Sequence, residues 1–257
     1  MILCLDIGNS HIYGGVFKQD DLCLQFRMAT KPGTSSDEYG LFLRSVLREN
    51  GIDPDQIDSI ALCSVVPEVL YPINSCCLKY FSINPLILQA GVKTGLQIQY
   101  QNPQEVGADR IANAIAGSRL FPEENLIIID LGTATSFCAI GADRSYRGGV
   151  ILPGLRLSMK ALQEGASKLG SVEIVEPWHC LGKNTTESIQ SGLYYGHLGA
   201  MREIIERLKK EQFEDQSVRI IGTGGFTGLF QPAGIYDEII PDLVLQGLLI
   251  ALQMNQQ

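Results

Sequence analysis

One short pattern occurs twice in this chain and constrains its fold more than any other feature. Residues 2–10 read ILCLDIGNS, and residues 126–135 read LIIIDLGTAT. Each copy is an apolar run that reaches an Asp, followed by an apolar residue, a Gly and small polar residues. Such a run predicts a buried strand that ends in a tight turn. The glycine lets the backbone of that turn approach a ligand closely, because no Cβ stands in the way.

The two copies together predict a site that handles phosphate groups. Asp6 and Asp130 stand where their strands end, so their carboxylates face whatever lies beyond the strand ends. Two such loops, at the heads of two similar halves, can hold the phosphates of a nucleotide and its metal from two sides. Either loop alone could equally be an ordinary junction between a strand and a turn.

Length and charge limit the class of partner. The chain has 257 residues, of which 45% are hydrophobic and 19% charged, and its formal net charge is −8. A broad surface for nucleic acid or for an anionic membrane is unfavourable at that charge, so we expect no nucleic-acid partner and no membrane partner. An anionic ligand must therefore be held by local donors.

The cysteines and the N-terminus predict a cytoplasmic protein. Seven Cys are scattered along the chain, with no CxxC pair and no His at the spacing of a zinc site. Reduced, buried thiols are the better interpretation. Met1 leads directly into the first apolar run, without the basic segment of a signal peptide. No apolar run reaches the roughly 18–20 residues that span a bilayer.

The order of predicted elements indicates a duplicated α/β architecture of two domains around a cleft. Three strands without intervening helices open the chain, which argues against a Rossmann unit and for an antiparallel meander. The first half is predicted as strands at 2–7, 11–17 and 22–30, a helix capped by Ser36 or Asp37, a strand at 59–67, a helix at 67–81 and a strand at 86–88. The second half repeats the theme with strands at 126–130, 135–140 and 146–151, a helix around 157–162, a helix at 186–210, a strand at 217–221 and a closing helix from Pro241.

The segment Gly107–Arg110 opens a predicted helix and carries two candidate functional residues. Asp109 could cap that helix, or it could act as a general base that accepts the proton of an attacking hydroxyl. Arg110 could form a surface ion pair, or it could bind an anionic group with its forked guanidinium. The residues alone leave both pairs of alternatives open.

Two glycine-rich segments, 147–154 and 222–225, follow or end strands and permit close backbone approach. We expect the first to pack near the second phosphate loop. The chain has no GxxxxGK[ST] sequence, so it is not a P-loop enzyme. We interpret His11, His179 and His197 as core or surface residues. Packing is the better interpretation for Trp178, and packing or a subunit contact for Tyr194 and Tyr195.

The set of motifs closely resembles the type III pantothenate kinases, which belong to the acetate and sugar kinase/Hsp70/actin superfamily. The resemblance covers nearly the whole chain, and the Gly-Ala-Asp-Arg element is its specific part. One small departure is Ser10, where Thr is usual. The motifs that carry it, in order, are Asp6–Ser10, Gly107–Arg110, Asp130–Ala134, Gly148–Gly154 and Gly222–Gly225.

The resemblance implies a fold of duplicated ribonuclease H-like (actin-like ATPase) domains, each a mixed sheet with flanking helices, around a central cleft. We place the N-terminal domain at residues 1–117 and the C-terminal domain at 118–257. The resemblance also implies ATP-dependent phosphorylation of pantothenate to 4′-phosphopantothenate, the first step of coenzyme A biosynthesis. The implied cofactors are ATP, Mg²⁺ and a monovalent cation, K⁺ or NH₄⁺, and the implied assembly is a homodimer.

The resemblance assigns roles to individual residues. Asp109 matches the catalytic base, and Asp130 matches the ligand of the monovalent cation. Residues that match ATP contacts are Asp6, Ile7, Gly8, Asn9, Ser10, His11, Ile12, Tyr13 and Thr133. Residues that match pantothenate contacts are Tyr100, Gly107, Ala108, Asp109, Arg110 and Thr185.

Two other functions are compatible with the same loops. Another kinase or phosphatase of the superfamily would differ only on the substrate side, and a panel of acceptors would separate it. A non-catalytic, ATP-binding regulator would bind nucleotide without turnover. The joint presence of Asp6, Asp109 and Asp130 argues against such a dead site.

Overall fold

The computed structural model describes residues 1–165 and 169–256, and the chain forms two compact units. Unit 1 comprises residues 1–95, 101–116 and the C-terminal residues from 243, and unit 2 comprises residues 96–100 and 117–242. The sequence-based division into residues 1–117 and 118–257 stays a prediction. In the structure, the C-terminal helix belongs to unit 1.

The chain contains eleven strands and six α-helices within its described residues. In chain order they are β1 (Ile2–Ile7), β2 (His11–Lys18), β3 (Asp21–Ala29), α1 (Ser36–Glu49), β4 (Ser59–Ser64), α2 (Pro67–Phe81), β5 (Leu86–Ile87), β6 (Gln97–Ile98), α3 (Ala108–Leu120), β7 (Asn125–Leu131), β8 (Ala134–Ile140), β9 (Ser145–Pro153), α4 (Leu155–Gly165), α5 (Thr185–Phe213), β10 (Val218–Thr223), β11 (Glu238–Ile239) and α6 (Leu243–Asn255).

The two sheets share one topology, which is the physical evidence for duplication. The sheet of unit 1 has the order β3-β2-β1-β4-β5, and the sheet of unit 2 has the order β11-β10-β7-β8-β9-β6. In each, three antiparallel strands form a meander, and the first of them pairs in parallel with a later strand. The predicted α/β class with two meander-led sheets is therefore confirmed. The short edge strands β6 and β11 were not predicted.

Strand β1 is the centre of unit 1. Leu3, Cys4 and Leu5 have no exposed surface, because the sheet is covered by helices. Helix α6 is the apolar element that packs on β1 and β4, and most of its residues are buried. Gly247 lets α6 approach α3, since a Cβ there would overlap Ala112. The C-terminal helix thus completes the core around the first strand.

Helix α1 shows why its start differs from the sequence-based expectation. Ser35, not Ser36 or Asp37, is the N-cap. The Ser35 hydroxyl accepts a hydrogen bond from Glu38 N at 3.2 Å, and Glu38 Oε2 accepts one from Ser35 N at 2.8 Å. This reciprocal capping box satisfies two backbone donors at once, and it places the cap one residue before Ser36, so that the helix itself begins at Ser36.

Helix α5 is the longest element of unit 2 and spans 29 residues. Asn184 caps it by accepting a hydrogen bond from Glu187 N at 2.9 Å. One side of the helix packs on the unit 2 core, where Leu193, Leu198 and Met201 are buried. Across residues 1–165 and 169–256, none of the helices combines the length and the apolar character needed to cross a bilayer.

Candidate functional site

The first loop is a tight turn between β1 and β2, held by three hydrogen bonds. Gly8 N donates to His11 O at 3.0 Å, and Thr30 N donates to Ser10 O at 3.0 Å. The Thr30 hydroxyl donates to Gly8 O at 2.7 Å. Asn9, Ser10 and His11 are exposed. The turn therefore presents polar side chains and backbone on a braced loop.

Three residues of the first loop segment face the protein interior. Ile7, Ile12 and Tyr13 are buried, and the Arg27 guanidinium lies 4.2 Å from the centre of the Tyr13 ring. Ile12 and Tyr13 are neighbours in β2 and lie on opposite faces of the sheet, and both faces are buried there. Of the predicted ATP-contact residues, these three are therefore buried, whereas Asn9, Ser10 and His11 are exposed.

The carboxylates of Asp6 and Asp109 both raise the pKa of the Cys63 thiol in unit 1. Asp6 lies opposite Cys63 in the parallel pairing of β1 with β4, and the Cys63 thiol donates to Asp6 Oδ1 with Sγ and Oδ1 3.3 Å apart. Burial raises the pKa of the Cys63 thiol well above its usual value, and the nearby carboxylates of Asp6 and Asp109 raise it further. Both carboxylates therefore influence one thiol electrostatically, although they come from distant parts of the chain.

Asp109 lies in the first turn of α3, which already begins at Ala108. Asp109 is the second residue of the helix and so cannot be its N-cap, and that hypothesis is wrong. Its Oδ1 does accept a hydrogen bond from Arg110 N at 2.8 Å. A Cβ at Gly107 would lie 2.5 Å from Asp109 Oδ1. Glycine at 107 makes room for the carboxylate.

Arg110 is buried, with 8% of its surface exposed. The surface ion pair that the sequence left open is therefore wrong. A guanidinium is charged at every physiological pH, so a positive charge lies inside the protein next to Asp109.

The second loop joins β7 to β8 in unit 2 and carries Asp130 and Thr133. Gly132 N donates to Ala134 O at 3.0 Å, and Gly154 N donates to Thr133 O at 3.1 Å. A Cβ at Gly154 would overlap Thr133 O and would lie 2.6 Å from Gly132 O. The glycine-rich end of β9 therefore packs against this loop, as the sequence predicts.

A third loop, Gly222–Gly225, lies beside Asp130. Thr223 is opposite Asp130 in the parallel pairing of β10 with β7. Gly224 has φ +91°, and a Cβ there would overlap Asp130 Oδ1 and would lie 2.6 Å from Leu131 N. Only glycine fits this left-handed backbone and this close approach.

The two remaining predicted substrate residues lie elsewhere in unit 2. The Tyr100 ring lies 6.4 Å from the Tyr146 ring and packs beside Gly148. Thr185 is the first residue of α5 and is exposed. It opens onto a cavity of about 660 Å³ with polar and apolar walls, lined by Leu162, Leu169, Gly182, Lys183, Asn184, Thr185, Ser188, Ile189, Gly192 and Leu193.

Sequence reasoning missed two side chains that contact the loops. The sequence predicts only a buried thiol at Cys63 and only a core or surface residue at His197. His197 is indeed buried, and its Nε2 lies 2.9 Å from the Thr135 hydroxyl. The first contact depends on the register between β1 and β4, which no local pattern in the sequence fixes. The second contact joins residues 62 positions apart and has no local signature.

The donor atoms of both units suit phosphate and hard cations. Unit 1 offers the Asp6 carboxylate next to an exposed polar turn and the Asp109 carboxylate at the start of α3. Unit 2 offers the Asp130 carboxylate between two glycine loops. Carboxylate and carbonyl oxygens are the ligands that Mg²⁺ and similar cations take in proteins. Glycine-rich turns expose the backbone N–H groups that bind phosphate oxygens.

Comparison with known proteins gives the family. The family model for type III pantothenate kinase matches residues 2–207. A type III pantothenate kinase from Legionella pneumophila (strain Corby) is 58% identical over 255 residues, which cover 99% of each chain.

Among solved structures, a Campylobacter jejuni protein of the Baf family aligns with a TM-score of 0.62 at 18% identity, covering 99% of this chain and 98% of that one. A Sinorhizobium meliloti protein assigned as a 2-dehydro-3-deoxygalactonokinase aligns with a TM-score of 0.58 at 13% identity, covering 99% and 96%. Both likenesses concern the fold, which is the duplicated ribonuclease H-like fold of actin-like kinases and ATPases. With the family model spanning most of its length and a relative at 58% identity, the chain belongs to the type III pantothenate kinase family.

Proposed function

We propose that this protein transfers the γ-phosphoryl group of ATP to the terminal hydroxyl of pantothenate. The product is 4′-phosphopantothenate, and the reaction is the first step of coenzyme A biosynthesis. In a chain of this family, the observation that carries the proposal is the Asp6 carboxylate at the end of β1, hydrogen-bonded to Cys63 and next to the braced turn that follows the strand. The Asp109 carboxylate is close enough to raise the pKa of the same thiol. Phosphoryl transfer needs positioning and charge stabilisation more than covalent chemistry. The turn and a general base would supply the positioning, and a cation bound by the carboxylates would supply the charge stabilisation.

Asp109 is the general base of the proposed reaction. Its carboxylate accepts the proton of the pantothenate hydroxyl as that oxygen attacks the γ-phosphorus. The bond between the γ-phosphorus and the bridging oxygen breaks, and ADP leaves. The absence of a side chain at Gly107 leaves room for the Asp109 carboxylate at the start of α3. The backbone N–H of Arg110 donates a hydrogen bond that orients it.

ATP is held by the first two loops in this proposal. Asn9, Ser10 and His11 are exposed on the braced turn, and Thr133 lies on the loop that Gly154 supports. Asp6 would hold the Mg²⁺ that accompanies ATP, and this ion would offset the charge of the triphosphate. The buried side chains of Ile7, Ile12 and Tyr13 anchor the strands on either side of the loop.

Pantothenate binding is proposed for Tyr100, Gly107–Arg110 and Thr185. The buried guanidinium of Arg110 is a suitable partner for a carboxylate, and pantothenate carries one. The cavity at Thr185 combines polar groups at the start of α5 with leucine and isoleucine side chains. That mixture suits a ligand with both amide and methyl groups.

Asp130 is proposed to bind a monovalent cation, K⁺ or NH₄⁺. Its Oδ1 lies against Gly224 and beside Gly132, at the junction of two glycine loops. A cation there would reduce repulsion between the triphosphate and a protein of net charge −8.

A homodimer in the cytoplasm is the proposed working state. Trp178 and Leu181 are 98% and 79% exposed in unit 2, and large apolar side chains at such exposure are typical of subunit contacts. All seven cysteines are free, which suits a reducing compartment. The negative net charge favours neither a nucleic-acid nor a membrane partner.

The test is ADP release from MgATP with a panel of acceptors: pantothenate, glucose and glycerol, each in K⁺, NH₄⁺ or Na⁺ buffer. The proposal predicts that pantothenate is the one acceptor of this panel that supports turnover, and that turnover is faster in K⁺ or NH₄⁺ than in Na⁺. The product should be heavier than pantothenate by one phosphoryl group. Turnover with another acceptor would overturn the substrate assignment. Nucleotide binding without ADP release in any buffer would favour the regulator.

A further inference from the structure

His197 is a buried polar residue on the inner side of α5. Only 7% of its surface is exposed, and its Nε2 shares a hydrogen bond of 2.9 Å with the Thr135 hydroxyl, which is itself 1% exposed. Burial lowers the pKa of His197, so the ring is neutral at physiological pH. A buried, neutral imidazole can hold this bond without the cost of burying a charge.

Thr135 lies at the base of the second phosphate loop. It is opposite Leu131 in the pairing of β7 with β8, and Thr133 is two residues before it in the chain. A hydrogen bond from α5 to Thr135 therefore acts where the loop leaves its hairpin. The position of the loop depends on where that base is held.

The same imidazole ring contacts the segment that follows the Gly222–Gly225 loop. His197 stacks on Phe230 with ring centres 5.7 Å apart and an interplanar angle of 28°. Phe230 lies in the 3-10 helix Thr227–Ala233. At the start of that helix, the Thr227 hydroxyl donates to Gly224 O at 3.0 Å. One side chain thus touches both segments that carry glycine loops of unit 2.

We propose that His197 is a positioning residue of the nucleotide site. From helix α5 it fixes the second phosphate loop through Thr135 and the Gly222–Gly225 loop through Phe230. The inference rests on the proposed function, in which Thr133 contacts ATP. Its consequence is that the His197–Thr135 bond sets nucleotide affinity, whereas an ordinary core histidine would set stability alone.

Four variants separate these roles. His197→Ala and Thr135→Val remove the bond, and Thr135→Val keeps the shape of the side chain. His197→Gln and Thr135→Ser keep a polar group that can restore it. Met201→Ala is the matched control, because Met201 is fully buried one turn further along α5.

The measurements are ADP affinity by calorimetry, the KM values for ATP and for pantothenate, and the thermal midpoint of each variant. His197→Ala and Thr135→Val should each weaken ADP binding and raise the KM for ATP about fivefold, the effect of one lost hydrogen bond. The double variant should be no worse than His197→Ala, because that substitution already removes the bond to Thr135. The conservative variants should stay within about twofold, and the KM for pantothenate should not change.

Met201→Ala should lower the thermal midpoint while nucleotide affinity stays at the wild-type value. The inference is overturned if His197→Ala and Thr135→Val lose stability as Met201→Ala does but bind ADP like wild type. Thr133→Ala separates a failure of the positioning role of His197 from a failure of the proposed contact between Thr133 and ATP. If Thr133→Ala weakens ATP binding and the His197 variants do not, only the positioning role fails. If Thr133→Ala has no effect, the assignment of the loop fails, and the positioning role fails with it.

Discussion

The Cys63 thiol donates a hydrogen bond to Asp6 Oδ1, with Sγ and Oδ1 3.3 Å apart, across the paired strands β1 and β4. A thiol is a weak donor, so we expect a modest loss when it is removed. Cys63→Ala should raise the KM for MgATP up to about fivefold, equivalent to about 1 kcal/mol. Cys63→Ser keeps a donor and should lose less. Cys4→Ala, which removes a buried thiol from the strand that carries Asp6, should leave the KM for MgATP unchanged. Equal effects of all three substitutions would contradict the role of the bond.

The neighbouring glycines of the third loop provide a matched pair of substitutions. Gly224 has φ +91° and no room for a Cβ beside Asp130, whereas a Cβ at Gly225 meets open space. Gly224→Ala should therefore reduce the free energy of unfolding by about 1 to 3 kcal/mol and weaken nucleotide binding. Gly225→Ala should change stability by less than about 1 kcal/mol. Chemical denaturation and nucleotide titration measure both effects. Indistinguishable variants would show that the approach of Gly224 to Asp130 is wrong.

The burial of the cysteines predicts two classes of thiol. Cys23 and Cys180 are exposed, and the other five are buried. Burial raises the pKa of Cys76 and of Cys77 to about 12, and the thiolate is the reactive form. A colorimetric thiol reagent should therefore modify two thiols quickly in the native protein and seven after denaturation. Rapid modification of more than two in the folded protein would contradict the packing of the elements that carry the buried thiols: β1, β4, α2 and β8.

His197 predicts a pH dependence of stability. Burial lowers its pKa in the folded protein, whereas in the unfolded chain it has the usual value of about 6.5. Below that value the unfolded chain binds more protons than the folded one, so stability is complete above about pH 6.5 and is lost as the pH falls through the folded-state pKa. The thermal midpoint should fall between pH 7.5 and pH 5.5, and it should fall less in His197→Gln. An identical pH dependence in both proteins would exclude His197 as the cause.

The sequence predicts the regular elements well because their signals are local. The apolar runs ending at Asp6 and Asp130 mark β1 and β7, and α2 occupies the predicted residues 67–81. The edge strands β6 and β11 have two residues each, one polar and one apolar, which is too short for any periodic pattern to reveal. Strand β5 is equally short, but it lies in the apolar run Leu86–Leu88, which predicts a strand. The N-cap of α1 was misplaced by one residue because Ser35 and Ser36 are both good caps, and only the reach of Glu38 decides between them.

The candidate site likewise contains features that the local sequence reveals and contacts that it does not. The loops and their glycines could be identified from the sequence, because turns and close approaches require particular residues. The contacts of Asp6 with Cys63 and of Thr135 with His197 could not, because each depends on how distant segments pack. Helix α6 shows the same limit: its apolar sequence predicts burial, but not that it packs on β1 and β4, near the opposite end of the chain.

The most direct test of the central claim is single-turnover phosphorylation of pantothenate by wild type and by Asp109→Asn. The variant keeps the size of the side chain and removes its ability to accept a proton. The account predicts that the rate of phosphoryl transfer falls by about 10²-fold or more, while ADP affinity and the thermal midpoint stay close to wild type. A variant that phosphorylates pantothenate at the wild-type rate would contradict the assignment of Asp109 as the general base.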